Sequence, residues 1–392
     1  MSIASAKPLI AIACGGTGGH LFPGLAVGEA LRAHGCDVTL LISPKEVDQQ
    51  AVKSTHGFGI ATLPAVAFNP RAPHRFAFGF ARSLLAARKL FSERVPRAVL
   101  AMGGFTAAPP VLAGNFRGAA TFLHESNTIP GRANRWLARW VDTAFVGFPE
   151  TPPRLANARV VVTGTPVRPQ FAALDTTRCR AALGLDPQRP VLLITGGSQG
   201  ASGVNDLLLA ALPQLVAKLP GLQFLHLTGP SDADKVRAAY AAHQTRAVVQ
   251  PFLSQMELAL GAATAAVSRA GASSLAELAT TRLPAVLVPF PAAADNHQFF
   301  NARAFSDTGA AKMLEQKSGA AERLVEMLIE LLSNETSRSA MTAALARWHT
   351  PDAAEQIAGR ILQAIRHEET TASPERRTSD ANKLSVFQTA MR

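Results

Sequence analysis

The sequence predicts an α/β protein of two doubly wound parallel-sheet domains facing each other across a cleft, and three observations predict it. Apolar runs of strand length end in glycine or polar loops, and helical patterns separate those runs. The same strand, glycine loop, helix unit opens both halves of the chain, at Leu9 and again at Val191. Parallel strands ending in such loops place their ligand at their carboxyl ends.

Taken in order, the apolar run 9–13 leads into Gly15-Gly16-Thr17-Gly18-Gly19-His20, a helical pattern over 23–34 and a strand at 38–42. A basic helical stretch covers 71–97. Strands at 99–102 and 121–123 run into Gly103-Gly104 and into His124-Glu125-Ser126-Asn127. After a proline-rich segment, 149–169, the pattern restarts with a strand at 191–194, a glycine loop at 196–200 and a helix over 205–219. Further strands are expected at 224–227, 247–249, 265–267 and 285–288. From about 369 to 392 the chain turns polar and loses periodicity, which predicts a disordered tail.

Composition narrows the function. With 392 residues, 47% hydrophobic and 17% charged, the chain is long enough for two or three cores and too apolar for disorder. Its three cysteines, Cys14, Cys36 and Cys179, show no C-x-x-C spacing, against a disulfide framework or zinc site and in favour of a reducing compartment. Two charge-free stretches, 8–28 and 98–116, hold too many glycines and prolines for lipid spans, and the first apolar run is too short for a signal peptide. A cytoplasmic protein is expected. The net charge is +11, of which residues 1–170 carry +10 (18 basic, 8 acidic) and the rest +1 (21 basic, 20 acidic). The first half therefore faces an anionic surface, a phospholipid leaflet or nucleic acid.

Glycine loops between strand and helix suit phosphates. The Walker spacing is absent, and G-x-G-x-x-G fails because Leu21 stands at its third position and no acid stands at the end of the 38–42 strand to hold a ribose. A third turn, Ser268-Arg269-Ala270-Gly271-Ala272-Ser273-Ser274-Leu275-Ala276-Glu277, puts a carboxylate early in a helix. Glu277 either accepts the hydroxyls of a ribose or is simply a favourable helix-start acid.

These loops together resemble one family, the bacterial peptidoglycan N-acetylglucosaminyltransferases, inverting enzymes of the two-domain GT-B class. The likeness spans about 9–311 and the last helices, and includes Gly164-Thr165-Pro166-Val167-Arg168 and Asp295-Asn296-His297-Gln298-Phe299-Phe300-Asn301. The family more often has Gln at Ser126 and Asn at Thr165. The resemblance implies transfer of N-acetylglucosamine from its uridine diphosphate (UDP) sugar to the carbon-4 hydroxyl of undecaprenyl-pyrophosphoryl-muramyl-pentapeptide. It implies an acceptor domain over 1–165, with a helix at about 352–368 packing back on it, and a donor domain over 166–351. Ser198 and Arg168 would meet the diphosphate, Leu253 the uracil, Glu277 the ribose and Gln298 the transferred sugar. Thr17, Gly18, Gly19, Asn127, Ala272 and Ser273 complete the expected substrate contacts. No cofactor is implied.

Inverting transfer needs a base and a way to neutralise the departing diphosphate. Helix ends and Arg168 can do the second, and Asp232-Ala233-Asp234 reads as a helix start, so metal-independent chemistry is expected. His20 is the leading base and Glu125 the second; the alternatives are a backbone-bonding loop residue and a loop-bracing His124–Glu125 pair. On the basic stretch, Arg71, Arg75, Arg82 and Lys89 share one helix face opposite Phe80, Leu84, Ala87 and Phe91. That face is a solvated surface or a dock for an anionic leaflet, with Phe76 and Phe78 inserting, which would make the enzyme peripheral on the cytoplasmic face of the membrane. Nucleic acid is not expected, since no recognition motif accompanies the charge. Rival readings are a UDP-sugar epimerase or hydrolase, a transferase acting on another lipid, and a non-catalytic membrane or nucleic-acid binder.

Overall fold

Two all-parallel sheets organise the chain in a computed structural model that describes residues 7–45, 48–49, 52–53, 55–64, 73–104, 106–157, 159–172, 174–197, 200–317 and 319–371. The first sheet holds β1 (Leu9–Ala13), β2 (Asp37–Ile42), β3 (Gly59–Thr62), β4 (Ala98–Ala101), β5 (Ala120–Glu125), β6 (Thr143–Val146) and β7 (Val160–Val162), in the order β3-β2-β1-β4-β5-β6-β7. The second holds β8 (Val191–Thr195), β9 (Gln223–Leu227), β10 (Ala247–Gln250), β11 (Ala265–Ser268), β12 (Ala285–Leu287) and β13 (Lys312–Met313), in the order β10-β9-β8-β11-β12-β13. Each order reverses once, between β1 and β4 and between β8 and β11. These are the switch points where doubly wound sheets open a crevice for ligand.

The central strands form because they are continuously apolar and covered on both faces: all five residues of β1 and of β8 are buried. Covering the first sheet are α1 (Gly18–Ala33), α2 (Pro73–Glu93), α3 (Ala108–Asn115) and α4 (Arg132–Leu137). The second is covered by α5 (Thr176–Ala182), α6 (Ser202–Lys218), α7 (Ala233–Ala242), α8 (Met256–Ala262), α9 (Ala272–Thr281), α10 (His297–Asp307), α11 (Ala320–Ser333) and α12 (Glu335–Ala346). The last helix, α13 (Ala353–Thr371), returns to the first sheet, where Ile357, Ala358, Ile361 and Ile365 join the core of Leu21, Leu25 and Phe122.

The chain thus passes between the sheets twice, near 163–171 and near 347–352, and the two passages touch. Gly164 has φ +76°, and a Cβ there would collide with Thr350. Beside them Trp348 stacks on Phe305 at 4.4 Å and lies 5.5 Å from Phe148.

Several boundaries differ from the sequence reading. Helix α1 begins at Gly18 rather than residue 23, so Gly18, Gly19 and His20 form its first turn instead of a loop. Strand β5 runs on through His124 and Glu125. Four short strands, β3, β6, β7 and β13, were not anticipated. Helix α13 continues to Thr371, and the tail beyond it lies outside the described residues, as does Arg71.

Candidate functional site

The carboxyl ends of both sheets face one cleft of about 760 Å³. Two helices that follow central strands, α1 and α9, direct their N-termini at it, and the glycine loop that leads into a third, α6, lines the same cleft. Each N-terminus brings N–H groups without helical partners and the positive end of a helix dipole, so the cleft suits anions. Thr17, Gly18, Gly19, His20, Glu125, Asn127, Arg168, Leu253, Ala272, Ser273, Glu277 and Gln298 all line it. Ser198 lies outside the described residues, although its neighbours Gly196 and Gly197 line the same wall.

A proline ties two of these helix ends together. Pro23 lies within α1 and has no N–H to give the carbonyl of Gly19 four residues back. That carbonyl accepts the Ser273 hydroxyl at 3.0 Å instead, joining the first turns of α1 and α9 across the cleft.

His20 projects from the first turn of α1 with Nδ1 3.3 Å from the Thr17 hydroxyl. Its imidazole lies against the glycine pair after β4: a Cβ on Gly103, φ +116°, would stand 2.9 Å from His20 Nε2. The glycine pair therefore makes room for the ring. Burial lowers the His20 pKa to about 4, with Lys45 and His297 adding to the effect and Asp48 opposing it. The ring is neutral at pH 7 and able to accept a proton, yet it is a weaker base than an unperturbed histidine.

Glu125, at 3% exposure, is committed at both oxygens. Oε1 accepts the Asn127 N–H (2.9 Å) and Nδ2 (3.0 Å), and Oε2 accepts the Gly131 N–H (2.9 Å) and Asn134 Nδ2 (2.9 Å). His124 does not pair with it. The His124 Nε2–H meets the Gly164 carbonyl at 3.0 Å and its Nδ1 faces the Ser126 hydroxyl at 3.2 Å, bracing the segment that leaves for the second sheet. Burial lowers its pKa to about 4 as well. The side chain of Asn127 is likewise engaged, giving Nδ2 to Glu125 and accepting Asn301 Nδ2 at 3.0 Å.

On the opposite wall, Glu277 sits in the second turn of α9. Burial, reinforced by the like charge of Glu257, raises its pKa to about 7 against the pull of Arg168. The Arg168 guanidinium lies 4.6 Å from the ring centre of Phe22 on α1 and 5.3 Å from that of Phe171, a cation held between the two sheets by aromatic faces. Gln298 Oε1 accepts the Phe290 N–H at 3.0 Å, which orients its NH₂ end away from that bond.

Residues the sequence reading passed over also shape the cleft. Asn301, fully buried, accepts both the N–H (2.9 Å) and the hydroxyl (3.0 Å) of Thr128 and so pins α10 to the first domain. Asp295 pairs with Arg135 at 2.6 Å and Arg132 at 3.7 Å across the mouth. Asn134 had no motif to mark it; Phe22 and Asn301 lay in runs that carry the resemblance, but no role followed from their types. Asp232 accepts Asn205 Nδ2 at 2.7 Å where α7 begins, and Asp234 pairs with Arg237 at 2.7 Å one turn on.

Comparison with known proteins agrees with this architecture. The N-terminal domain of glycosyltransferase family 28 matches residues 10–146, and the C-terminal domain of the same family matches 191–357. Two relatives named UDP-N-acetylglucosamine–N-acetylmuramyl-(pentapeptide) pyrophosphoryl-undecaprenol N-acetylglucosamine transferase align over 90% of this chain and 97% of their own. One, from Synechocystis sp., is 36% identical, and one, from Acidithiobacillus ferrooxidans, 39%. The crystal structure of Acinetobacter baumannii MurG superposes with a TM-score of 0.71 at 29% identity, covering 91% of this chain and all of that one. With both halves matched and the relatives aligned nearly end to end, the chain belongs to glycosyltransferase family 28, among the N-acetylglucosaminyltransferases that MurG represents.

Proposed function

We propose that the chain moves N-acetylglucosamine from UDP-N-acetylglucosamine to the carbon-4 hydroxyl of a lipid-linked muramyl-pentapeptide, with inversion. The observation that carries this reading is the pairing of opposite walls in one cleft: a neutral imidazole on one side, and a carboxylate, a guanidinium, a helix N-terminus and a glycine loop on the other. The function named for the relatives supports it. The donor lies on the second wall, its ribose hydroxyls donating to Glu277 and its diphosphate at the glycine loop before α6 and the N-terminus of α9, beside Arg168. The acceptor lies on the first wall, its pyrophosphate at the N-terminus of α1. His20 Nε2 takes the hydroxyl proton as the acceptor oxygen attacks the sugar's anomeric carbon from the face opposite the diphosphate. The bond to the diphosphate breaks, and UDP leaves with the electron pair.

Glu125 serves as the brace that orients the loop 127–134 rather than as a second base, because four donors already satisfy its carboxylate. The domain division at 165/166 and the return near 352 are supported by the two sheets and by the packing of α13. Asp232 is engaged by Asn205 and Asp234 by Arg237, which supports leaving-group stabilisation by helix ends without a divalent ion. The test of the whole reading is direct: purified protein with labelled donor and a soluble lipid-linked muramyl acceptor yields the disaccharide and UDP. Release of UDP at equal rate without acceptor would favour a hydrolase instead.

The same reading places the first domain on an anionic leaflet. On α2, Phe78 (67% exposed) and Leu85 (65% exposed) alternate with Arg75, Arg82 and Lys89 at spacings of three and four, one stripe of a helix. Exposed apolar side chains between cations are the chemistry of a surface that inserts shallowly and neutralises lipid phosphates. Phe76 turns back onto Phe80, ring centres 6.0 Å apart, and Arg94 is committed to Asp37 at 2.7 Å. The stripe is thus narrower than the whole basic stretch. No helix among the described residues is long and apolar enough to cross a membrane.

A further inference from the structure

Between β2 and the glycine loop lies a carboxylate that the sequence reading did not single out. Asp48 is 0% exposed. Its Oδ2 accepts the Gly16 N–H at 2.6 Å, the Ser43 N–H at 3.1 Å and the Ser43 hydroxyl at 2.5 Å, while Oδ1 has no partner among the described residues. The Thr106 hydroxyl holds the other end of the same peptide by donating to the Gly15 carbonyl at 2.8 Å, and Lys45 Nζ holds the next peptide by donating to the Gly16 carbonyl at 3.0 Å. The loop that leads into α1 and His20 is therefore fixed on three sides. Its Gly16 N–H is already spent, which leaves the first turn of α1 to meet an acceptor phosphate.

The charges around His20 come from three elements. Lys45 and Asp48 lie beyond β2, and His297 opens α10; the neighbouring ring of His124 on β5 is held neutral by burial. Lys45 and His297 oppose a proton on His20, and Asp48 favours it. A carboxylate buried this deeply is poorly screened and keeps its field at a neighbouring ring.

We propose that Asp48 is a positioning residue for transfer: it fixes the glycine loop that presents His20, and its charge steadies the imidazolium formed when His20 takes the acceptor's proton. This rests on His20 being the base. Without that charge, His20 would have to become a cation in a site where burial and a lysine both resist it.

Steady-state kinetics of the full chain across pH 3 to 9, with UDP-N-acetylglucosamine and a soluble muramyl acceptor, test it. Asp48→Asn retains an oxygen that can accept the Gly16 and Ser43 hydrogen bonds and removes only the charge. Its kcat at pH 7 should fall about tenfold or more and the acidic limb of its profile should move to lower pH, with calorimetric donor affinity within about twofold of the parent. Ser43→Ala does the reverse, stripping a donor from the carboxylate, and its acidic limb should move to higher pH. A parental kcat and an unmoved limb in Asp48→Asn would overturn the proposal. If Asp48→Asn fails to fold, seen as lost donor binding, an unmoved limb in Ser43→Ala would overturn it alone. His20→Asn separates the two readings: parental turnover there removes the base assignment itself, whereas its loss beside an unaffected Asp48→Asn removes only the role of Asp48.

Discussion

Glu277→Gln should uncouple donor binding from pH. In the parent this carboxyl titrates near pH 7, raised chiefly by burial. Only the ionised form accepts both ribose hydroxyls strongly, so the competent fraction is about ten in eleven at pH 8 and one in eleven at pH 6. Affinity should therefore fall about tenfold, or about 1.4 kcal/mol, across that interval. The diphosphate of a nucleotide sugar carries no titration there, and His20, with its pKa lowered to about 4, is neutral throughout. Glutamine keeps one neutral acceptor in place of a charged one, a loss of about 1 to 2 kcal/mol at pH 8. Parent and variant should then differ about tenfold at pH 8 and converge at pH 6, read by calorimetric titration of UDP-N-acetylglucosamine. Apo stability supplies an independent control. A carboxyl whose pKa rises on folding is ionised more readily in the unfolded chain, so its stability cost appears as pH climbs from about 4.5 to about 7 and is complete above that. The glutamine variant should be more stable than the parent at pH 8, by an amount on the order of 3 kcal/mol, and equal it at pH 4. Donor affinity that is flat from pH 6 to 8 in the parent would refute the ribose assignment, and a variant that melts lower at pH 8 would show that Glu277 serves the fold.

Three further outcomes are expected. Gly103→Ala should cut kcat about a hundredfold while leaving donor affinity within about twofold, because a methyl 2.9 Å from His20 Nε2, on a backbone with φ +116°, must displace the ring. Parental turnover would show that the ring's position is not limiting. Turnover should persist in excess chelator; loss restored by magnesium or manganese would return Asp232 and Asp234 to the question. Reversing Arg75, Arg82 and Lys89 to Glu should abolish sedimentation with anionic vesicles and spare donor affinity, and parental binding should weaken as salt shortens the Debye length below about 8 Å. Phe78→Ser with Leu85→Ser should remove what survives high salt, and equal vesicle binding by the triple reversal and the parent would leave α2 a solvated face.

What could be read from the residues depended on burial. Strands β1, β8 and β11 announced themselves because both faces are covered and every side chain is apolar but the last of β8 and of β11. At the sheet edges this signal fades: β3 is largely exposed, β7 half-exposed and β13 only two residues long, so neither alternation nor an apolar run marks them. Helix α1 was begun too late because Pro23 looks like a first-turn proline, whereas it sits inside the helix and leaves a carbonyl for Ser273. The cleft residues were legible as glycine turns with a chemistry-bearing neighbour. Asn301, Asp295 and Asp48 were not, because their importance comes from what a distant segment brings to them: Thr128, Arg135 and Gly16.

The double passage between the sheets fixes what kind of machine this can be. A single linker lets two lobes swing, twist and drift apart. Two strands that touch at Gly164 and Thr350, beside the Phe148–Phe305–Trp348 stack, act instead as a double-pinned pivot. Rotation about that short axis stays soft, while sliding and separation do not, because either would have to unstack the rings and pull α13 out of a core. Opening the cleft is then a rocking motion that must release the Asp295–Arg135 pair at its mouth and the Ser273–Gly19 bond between the helix ends.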